Sequence, residues 1–252
     1  MKFLFIVQGE GRGHFTQAIT LEDMLLRNGH QVVEVLVGKS SSRTLPGFFN
    51  RSIQAPVKRF TSPNFLPTAE NKRADLKKSF AYNLIHVPEY FRSMCYINQR
   101  IKETGAEVVI NFYELLTGLT YALFRPSVPY ICVGHQYLFL HHDFEFPDKS
   151  SCQLWMLRFF TRMTALKSSK KLALSFREME QDDNNQIVTV PPLIRQEVTA
   201  IRPEEGNYIH GYMVNSGFAD SVEHFHARHP EVPLTFFWDK SDTEEVIRVD
   251  ET

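Results

Sequence analysis

Lys2-Phe3-Leu4-Phe5-Ile6-Val7-Gln8-Gly9-Glu10-Gly11-Arg12-Gly13-His14 opens the chain and sets its plan. Residues 2–7 form an apolar run of strand length, and an amphipathic helical pattern starts at His14. A strand, a glycine-rich turn and a helix N-terminus in succession make an anion site from backbone N–H groups and the helix dipole. Glycine lets the chain turn sharply and lets a phosphate approach without a Cβ in the way. Arg12 adds a fixed positive charge, and His14 places an ionisable ring at the mouth of the turn.

A nicotinamide-binding turn would read Gly-x-Gly-x-x-Gly, with an acid about 20 residues on that can reach a ribose. Here the spacing is Gly-x-Gly-x-Gly-His. The nearest acid, Glu34, lies inside the second strand with Val35, Leu36 and Val37 still to come, and Gly38 and Lys39 stand at the strand's end. The pattern argues against a nicotinamide cofactor. A plainer reading is that the turn only packs a helix tightly against a strand.

Working outward, a helix over residues 14–28 puts Ala18, Leu21 and Leu25 on one face, and Gly29 stands where a left-handed C-cap is wanted. A strand at 31–37, a Ser-rich loop at 38–42, a weaker strand at 57–60 and a turn at Ser62-Pro63-Asn64 follow. A polar, helix-like stretch runs over 69–104, broken near Val87-Pro88. Residues 108–110 and 130–133 are short, almost wholly apolar runs that suit central parallel strands, with a helical segment at 115–124 between them. A helix at 151–169 and a strand at 172–175 continue the alternation. The expected fold is α/β, a Rossmann-like doubly wound parallel sheet. Residues 1–192 form its first domain and 193–207 a linker. In 208–252 the plan restarts, with a strand at 208–214, Asn215-Ser216-Gly217, a helix at 219–229, a strand at 234–238 and a candidate strand at 246–249. A second α/β domain takes roughly 100–200 residues, so an incomplete one is expected here.

Lys and Arg total 28 against 29 Asp and Glu, a net charge of −1, and no basic run exceeds Lys170-Lys171. That balance argues against general nucleic-acid binding. Cys95, Cys132 and Cys152 are odd in number and far apart, which suggests a reducing compartment and neither a disulfide framework nor a zinc site. No stretch has signal-peptide length at the start, and none approaches the 18 apolar residues of a membrane span, so the chain reads as cytoplasmic. His224-x-His226-x-x-His229 sets only His226 and His229 on a common helical face. His141-His142-Asp143 reads as a solvated or substrate-side loop, and no metal is expected. The segment from Trp155 to Arg162, with Lys167, Lys170 and Lys171, mixes aromatic and basic residues. Its apolar face is expected in the core; the alternative is peripheral contact with an anionic membrane, at the inner face.

Residues 9–14 followed by Phe15-Thr16-Gln17-Ala18 resemble the opening of bacterial GT-B glycosyltransferases, among them the peptidoglycan lipid-linked N-acetylglucosaminyl transferase and family-1-like relatives. Arg27-Asn28-Gly29-His30-Gln31-Val32 is similar to their Arg-x-Gly-His-x-Val helix-to-strand junction. Val109-Ile110-Asn111-Phe112-Tyr113-Glu114 resembles the strand after which they carry an acidic cluster, and Val133-Gly134-His135-Gln136 their next strand end. The resemblance covers residues 1 to about 240. Asn111 departs from the Asp expected there and leaves Glu114 as the only carboxylate of its loop.

The resemblance implies a GT-B N-terminal domain with the start of the donor-binding domain. It implies transfer of a sugar from a nucleotide sugar, a UDP-sugar, to a hydroxyl of a glycan, lipid or small-molecule acceptor, without metal or further cofactor. Such chemistry needs a base for the acceptor hydroxyl and positive or dipolar groups for the departing diphosphate. His14, expected to face the interdomain cleft, is the first candidate base; Glu114 is the second, or orients His14. Gly9, Glu10, Gly11, Arg12 and Gly13, with His135 and Gln136, are candidates for an acceptor or phosphate site, and Asn215, Ser216 and Gly217 for the donor diphosphate. Structural readings stand beside each: a helix N-cap for His14, a first-turn acid for Glu114, a packing role for His135 and Gln136, and a simple turn at 215–217. The rival function is a non-catalytic Rossmann-like module that binds a phosphorylated or glycan ligand.

Overall fold

The structure, a computed structural model, describes residues 1–39, 45–64, 66, 76–146, 152–213 and 216–238. The chain divides into two compact units, Met1–Asn64 with Ile85–Ile201, and Phe65–Leu84 with Arg202–Thr252.

The first unit is built on seven parallel strands: β1 (Lys2–Gln8), β2 (Gln31–Lys39), β3 (Val57–Thr61), β4 (Val108–Phe112), β5 (Tyr130–Val133), β6 (Lys170–Leu174) and β7 (Ile187–Val190). They run in the order β3-β2-β1-β4-β5-β6-β7. The helices up to residue 201, in chain order, are α1 (Arg12–Arg27), α2 (Gly47–Ser52), α3 (Leu76–Ile85), α4 (Val87–Glu103), α5 (Leu115–Phe124), α6 (Cys152–Thr164) and α7 (Gln196–Thr199), of which α3 falls in the second unit but for Ile85. Period-2 alternation on β1 splits the core in two. Phe3, Phe5 and Val7 pack with Phe15 and Ala18 of α1 and Phe49 of α2, while Leu4 and Ile6 pack with Ile97 and Ile101 of α4 and Leu116 of α5. Both faces of the central strands are thus covered, which explains their near-continuous apolar runs.

Most local expectations match: α5 and β5 begin and end where the sequence placed them, and the break expected near Val87-Pro88 falls at His86, between α3 and α4. Differences have local causes. The first helix begins at Arg12 rather than His14, so Arg12 and Gly13 belong to its first turn. The helix read at 151–169 closes at Thr164, which leaves room for β6 to start at Lys170. β7 and a 3-10 turn over His135–Leu140 were not read from the sequence. The first unit includes the chain from Ile85 through Ile201. Arg27 on α1 donates to Gln196 Oε1, which ties α7 to this unit.

The apolar face of α6 was expected in the core, and only part of it is there: Phe160 packs against the core and meets the Tyr113 ring. Thr161 and Thr164 are fully buried, whereas Trp155 is 63% and Phe159 48% exposed. The buried threonines are held by hydrogen bonds: Tyr113 donates to Thr161 Oγ1 (2.8 Å) and Tyr137 to Thr164 Oγ1 (3.1 Å). On the other side of that contact, a Cβ at Gly118 of α5 would meet the Met163 carbonyl at 2.1 Å, so glycine sets how closely α5 and α6 approach.

Glu34 is buried within β2 and answered by Arg100 (2.8 and 3.0 Å) and Lys58 (2.9 Å). The acid nearest a ribose-contact position therefore ties α4 and edge strand β3 to β2. In the second unit, β8 (Ile209–Met213) pairs in parallel with β9 (Leu234–Trp238). A 3-10 turn at Ser216–Phe218 and helix α8 (Ala219–Arg228) lie between them in the chain. Asn215 and the candidate strand at 246–249 lie outside the described residues.

Candidate active site

Between β1 and β4 the strand order reverses direction, and in open parallel sheets ligands bind at the carboxyl ends of strands beside such a switch. The turn after β1 is pinned there. Gly9 donates its N–H to the Gly38 carbonyl at 2.7 Å, and a Cβ at Gly9 would stand 2.6 Å from that oxygen. Gly11 caps α1 in extended conformation (φ −126°), with no side-chain cap and no acid in the first turn. At Gly11 and Gly13 a Cβ would meet nothing within 4 Å, and neither has a positive φ. Packing and backbone conformation thus leave glycine optional at both, and open space lies beside the helix N-terminus.

His14, in the first turn of α1, is 6% exposed. Its Nδ1 donates to Gln17 Oε1 at 3.3 Å, and its Nε2 accepts from Gln136 Nε2 at 3.3 Å. An amide oxygen can only accept, so Nδ1 carries the proton and Nε2 the lone pair. The ring stacks on Tyr113 (centroids 5.8 Å apart) and on His135 (6.5 Å). Burial is the main cause that lowers its pKa from 6.5 to about 4, with His135 adding to it and the Gln17 bond opposing. His14 is neutral at physiological pH. Burial also lowers the pKa of His135. Gln136 Oε1 is buried and has no hydrogen-bond partner among the described residues, a vacancy that asks for an explanation.

The loop after β4 supplies the other wall. Tyr113 sits in the left-handed region at φ 62°, a conformation costly for an aromatic residue and held here by the surrounding packing. Asn111 fastens the loop from below. Its Oδ1 accepts from Glu114 N (2.9 Å), and its Nδ2 donates to the Glu114 carbonyl (3.1 Å) and the Thr164 carbonyl (2.9 Å). A carboxylate could not donate those bonds, which gives Asn its reason at the position where the resemblance implied Asp.

Glu114 is fully buried at the N-cap of α5. Its Oε1 accepts from Ser62 Oγ (2.6 Å) and Leu116 N (3.1 Å). Its Oε2 has no hydrogen-bond partner among the described residues, and a Cβ at Gly38 would stand 2.3 Å from it. Burial, with Glu10 nearby, raises its pKa from 4.5 to about 7 against those bonds. No bond joins it to His14 among the described residues; the group on Nδ1 is Gln17.

The structure therefore gathers His14, His135 and Gln136 and sets Glu114 apart in the wall beneath them. Gln17, Tyr113 and Ser62 escaped the sequence reading as site residues, and Asn111 stood there only as a departure from the expected Asp. Gln17 could have been found by spacing, since i and i+3 share a helix face. Beside this site, a cavity of about 370 Å³ between the end of β3 and α4 is lined by Phe60, Thr61, Ser93, Tyr96, Arg59, Arg92 and Glu89. The expected solvated loop at 141–143 is a clasp. His141 Nε2 donates to the Glu180 carbonyl (2.8 Å), and Asp182 accepts from His142 N (3.1 Å), from Asn185 N (3.1 Å) and from Asn185 Nδ2 (2.7 Å). His141, His142 and Asp182 could offer metal ligands within 4.8 Å of one another, but these bonds already occupy His141 and Asp182. Ser216 and Gly217 open the 3-10 turn after β8. No helix among the described residues is long and apolar enough to cross a membrane.

Among solved structures, the fold is similar to Arabidopsis thaliana UGT89C1 complexed with UDP (TM-score 0.56, 17% identity, 99% of this chain and 69% of that one). It is also similar to the glycotransferase of kitacinnamycin (0.53, 11%, 98% and 68%) and to CalG4, the calicheamicin glycosyltransferase (0.50, 13%, 94% and 64%). The chain spans about two thirds of the length of these structures. No curated protein matches it. The likeness at these identities is one of fold, a GT-B arrangement with a Rossmann-like parallel sheet. A family model described as Glycosyl transferase family 1 matches residues 1–237. With almost its whole length matched, the chain belongs to glycosyl transferase family 1.

Proposed function

We propose that this chain carries the acceptor side, and the beginning of the donor side, of an enzyme that moves a sugar from a nucleotide sugar to an acceptor hydroxyl, with His14 as general base. The observation that carries the reading is the state of His14: neutral, its proton fixed on Nδ1 by Gln17, its Nε2 lone pair at the carboxyl ends of β1 and β4. The acceptor hydroxyl displaces Gln136 from Nε2 and gives up its proton there. Its oxygen then bonds to the anomeric carbon as the bond from that carbon to the diphosphate breaks, and the nucleoside diphosphate leaves with the electron pair. A diphosphate held by Gly11, Arg12, Gly13 and the N–H groups of the first turn of α1 brings negative charge near His14. That charge favours the imidazolium, so basicity rises as the proton is needed. Gln136 Oε1 accepts from a second hydroxyl of the acceptor.

Glu114 acts as a positioning residue in this scheme, holding the N-terminus of α5 and Ser62. Glu10 and His135 border the acceptor and the cavity beside β3 receives its distal part; on the second unit, Ser216 and Gly217 stay the candidates for a donor contact. The reading takes a UDP-sugar as donor and a small molecule as acceptor; it is supported by UGT89C1, which has been crystallised with UDP-L-rhamnose and with quercetin.

The test is turnover of a UDP-sugar and acceptor panel by the full-length protein, followed as UDP release. His14→Ala is expected to lower kcat by 100-fold or more, in the range of general-base loss, with the donor KM little changed. Glu114→Gln keeps most of kcat. Wild-type turnover by His14→Ala would overturn the assignment, and donor binding without turnover by the wild type would favour the binding module.

A further inference from the structure

α6 packs Phe160 inward and leaves a second set of apolar side chains in solvent. Trp155, Phe159 and Arg162 fall on one stripe at i, i+4 and i+7, with Met156 and Leu157 beside it; all five are exposed. The Trp155 and Phe159 rings stack at 5.3 Å with 8° between their planes. The opposite side of the helix is sealed by the Tyr113 and Tyr137 bonds to Thr161 and Thr164, so the helix has no freedom to rotate its aromatics inward.

The charge around this stripe is one-sided. From Lys149 to Arg177 the chain has seven Lys and Arg and no Asp or Glu, in a protein whose net charge is −1. Arg162 on the stripe and Lys167 and Lys170 after the helix are exposed. Lys171 is spent on the Asn185 carbonyl. A soluble partner would have to match the exposed aromatics and the exposed Arg162, Lys167 and Lys170 at once. An anionic bilayer surface does both: apolar side chains enter the interface while cations meet the headgroups.

We infer that the exposed face of α6 docks the first unit onto an anionic lipid surface, with Trp155 and Phe159 inserted at the headgroup boundary and Arg162, Lys167 and Lys170 on lipid phosphates. Peripheral contact was the alternative reading of the sequence, and the observation behind it now is the exposure of Trp155 and Phe159. The inference stands apart from the sugar-transfer reading, because no residue of the proposed chemistry lies on it.

The test is co-sedimentation of the whole chain with vesicles of phosphatidylglycerol and phosphatidylcholine in equal parts, against phosphatidylcholine alone, at low and high salt. Binding to the mixed vesicles only, weakened by salt, is expected, with a blue shift of Trp155 fluorescence read in a Trp238→Phe background. Lys167→Glu with Lys170→Glu should weaken partition about fivefold or more for each charge removed. Trp155→Ser with Phe159→Ser should abolish insertion at an unchanged urea midpoint, since neither side chain is in the core. No binding at low salt would overturn the inference, as would equal binding to neutral vesicles. So would a dimer in solution that the Trp155→Ser, Phe159→Ser variant dissolves, since a second copy would then be the occupant.

Discussion

Replacing His14 by Gln and, separately, Glu114 by Gln should tilt the pH-dependence of stability in opposite directions. Burial lowers His14 from 6.5 to about 4. Between those values the unfolded chain binds a proton that the native state refuses, so stability is lost as pH falls through that window. At about 1.4 kcal/mol per pH unit the loss is about 3 kcal/mol. Burial raises Glu114 from 4.5 to about 7. There the native state keeps a proton that the unfolded chain releases, so about 3 kcal/mol is lost as pH rises through the window. In the wild type the two contributions nearly cancel between about pH 4.5 and 6.5. His14→Gln leaves Glu114 alone and gains stability from pH 7 down to 4.5; relative to wild type the gain falls between pH 6.5 and 4, the window of the group removed. Glu114→Gln leaves His14 alone and loses it from pH 6.5 down to 4. Urea unfolding at several pH values, with m unchanged, measures both. The comparison with wild type removes background carboxylates such as Asp182, which its hydrogen bonds to Asn185 and His142 hold at about 2 despite burial. If both variants run parallel to the wild type, neither group is buried in the ionisation state argued above.

Further outcomes follow from single contacts. Asn111→Asp should cost about 3 kcal/mol at pH 8 by leaving the Glu114 and Thr164 carbonyls unanswered. It should cost less at pH 5, where a protonated carboxyl can donate one bond; chemical denaturation at the two pH values checks it. Gly9→Ala, with its Cβ 2.6 Å from the Gly38 carbonyl, should destabilise by about 1–3 kcal/mol. Gly13→Ala, with open space around it, should leave the melting temperature level or higher while impairing turnover. Gly38→Ala drives a methyl into the Glu114 carboxylate and the Phe60 ring, and should lower the urea midpoint more than Gly13→Ala does.

What was legible was local. The apolar runs of β1, β4 and β5, the turn chemistry around Gly29 and the start of α5 each rest on a few neighbouring residues, and each folds as read. β7 carries no such mark, because Ile187–Val190 is short and becomes a strand only through its pairing with β6. For α6, periodicity reveals that two faces exist but not which is buried. The burial of Thr161 and Thr164 depends on tyrosines more than 20 residues earlier in the chain. At the site, His14 and its loop stood out by composition. Gln17 and Tyr113 matter by where a shared fold brings them, and Asn111 looked like a lost acid until its donated bonds explained it.

The strand order also sets a timetable for synthesis. β1 is central, yet one of its two neighbours, β4, begins over 100 residues later, and Gln136 follows His14 by 122 residues. At about 5–20 residues per second, on the order of ten seconds pass on the ribosome before His14 can meet Gln136. For that interval Phe3 to Val7 has only β2 to pair with, and one edge of an apolar strand stays open. The nascent chain is then at its most exposed to aggregation.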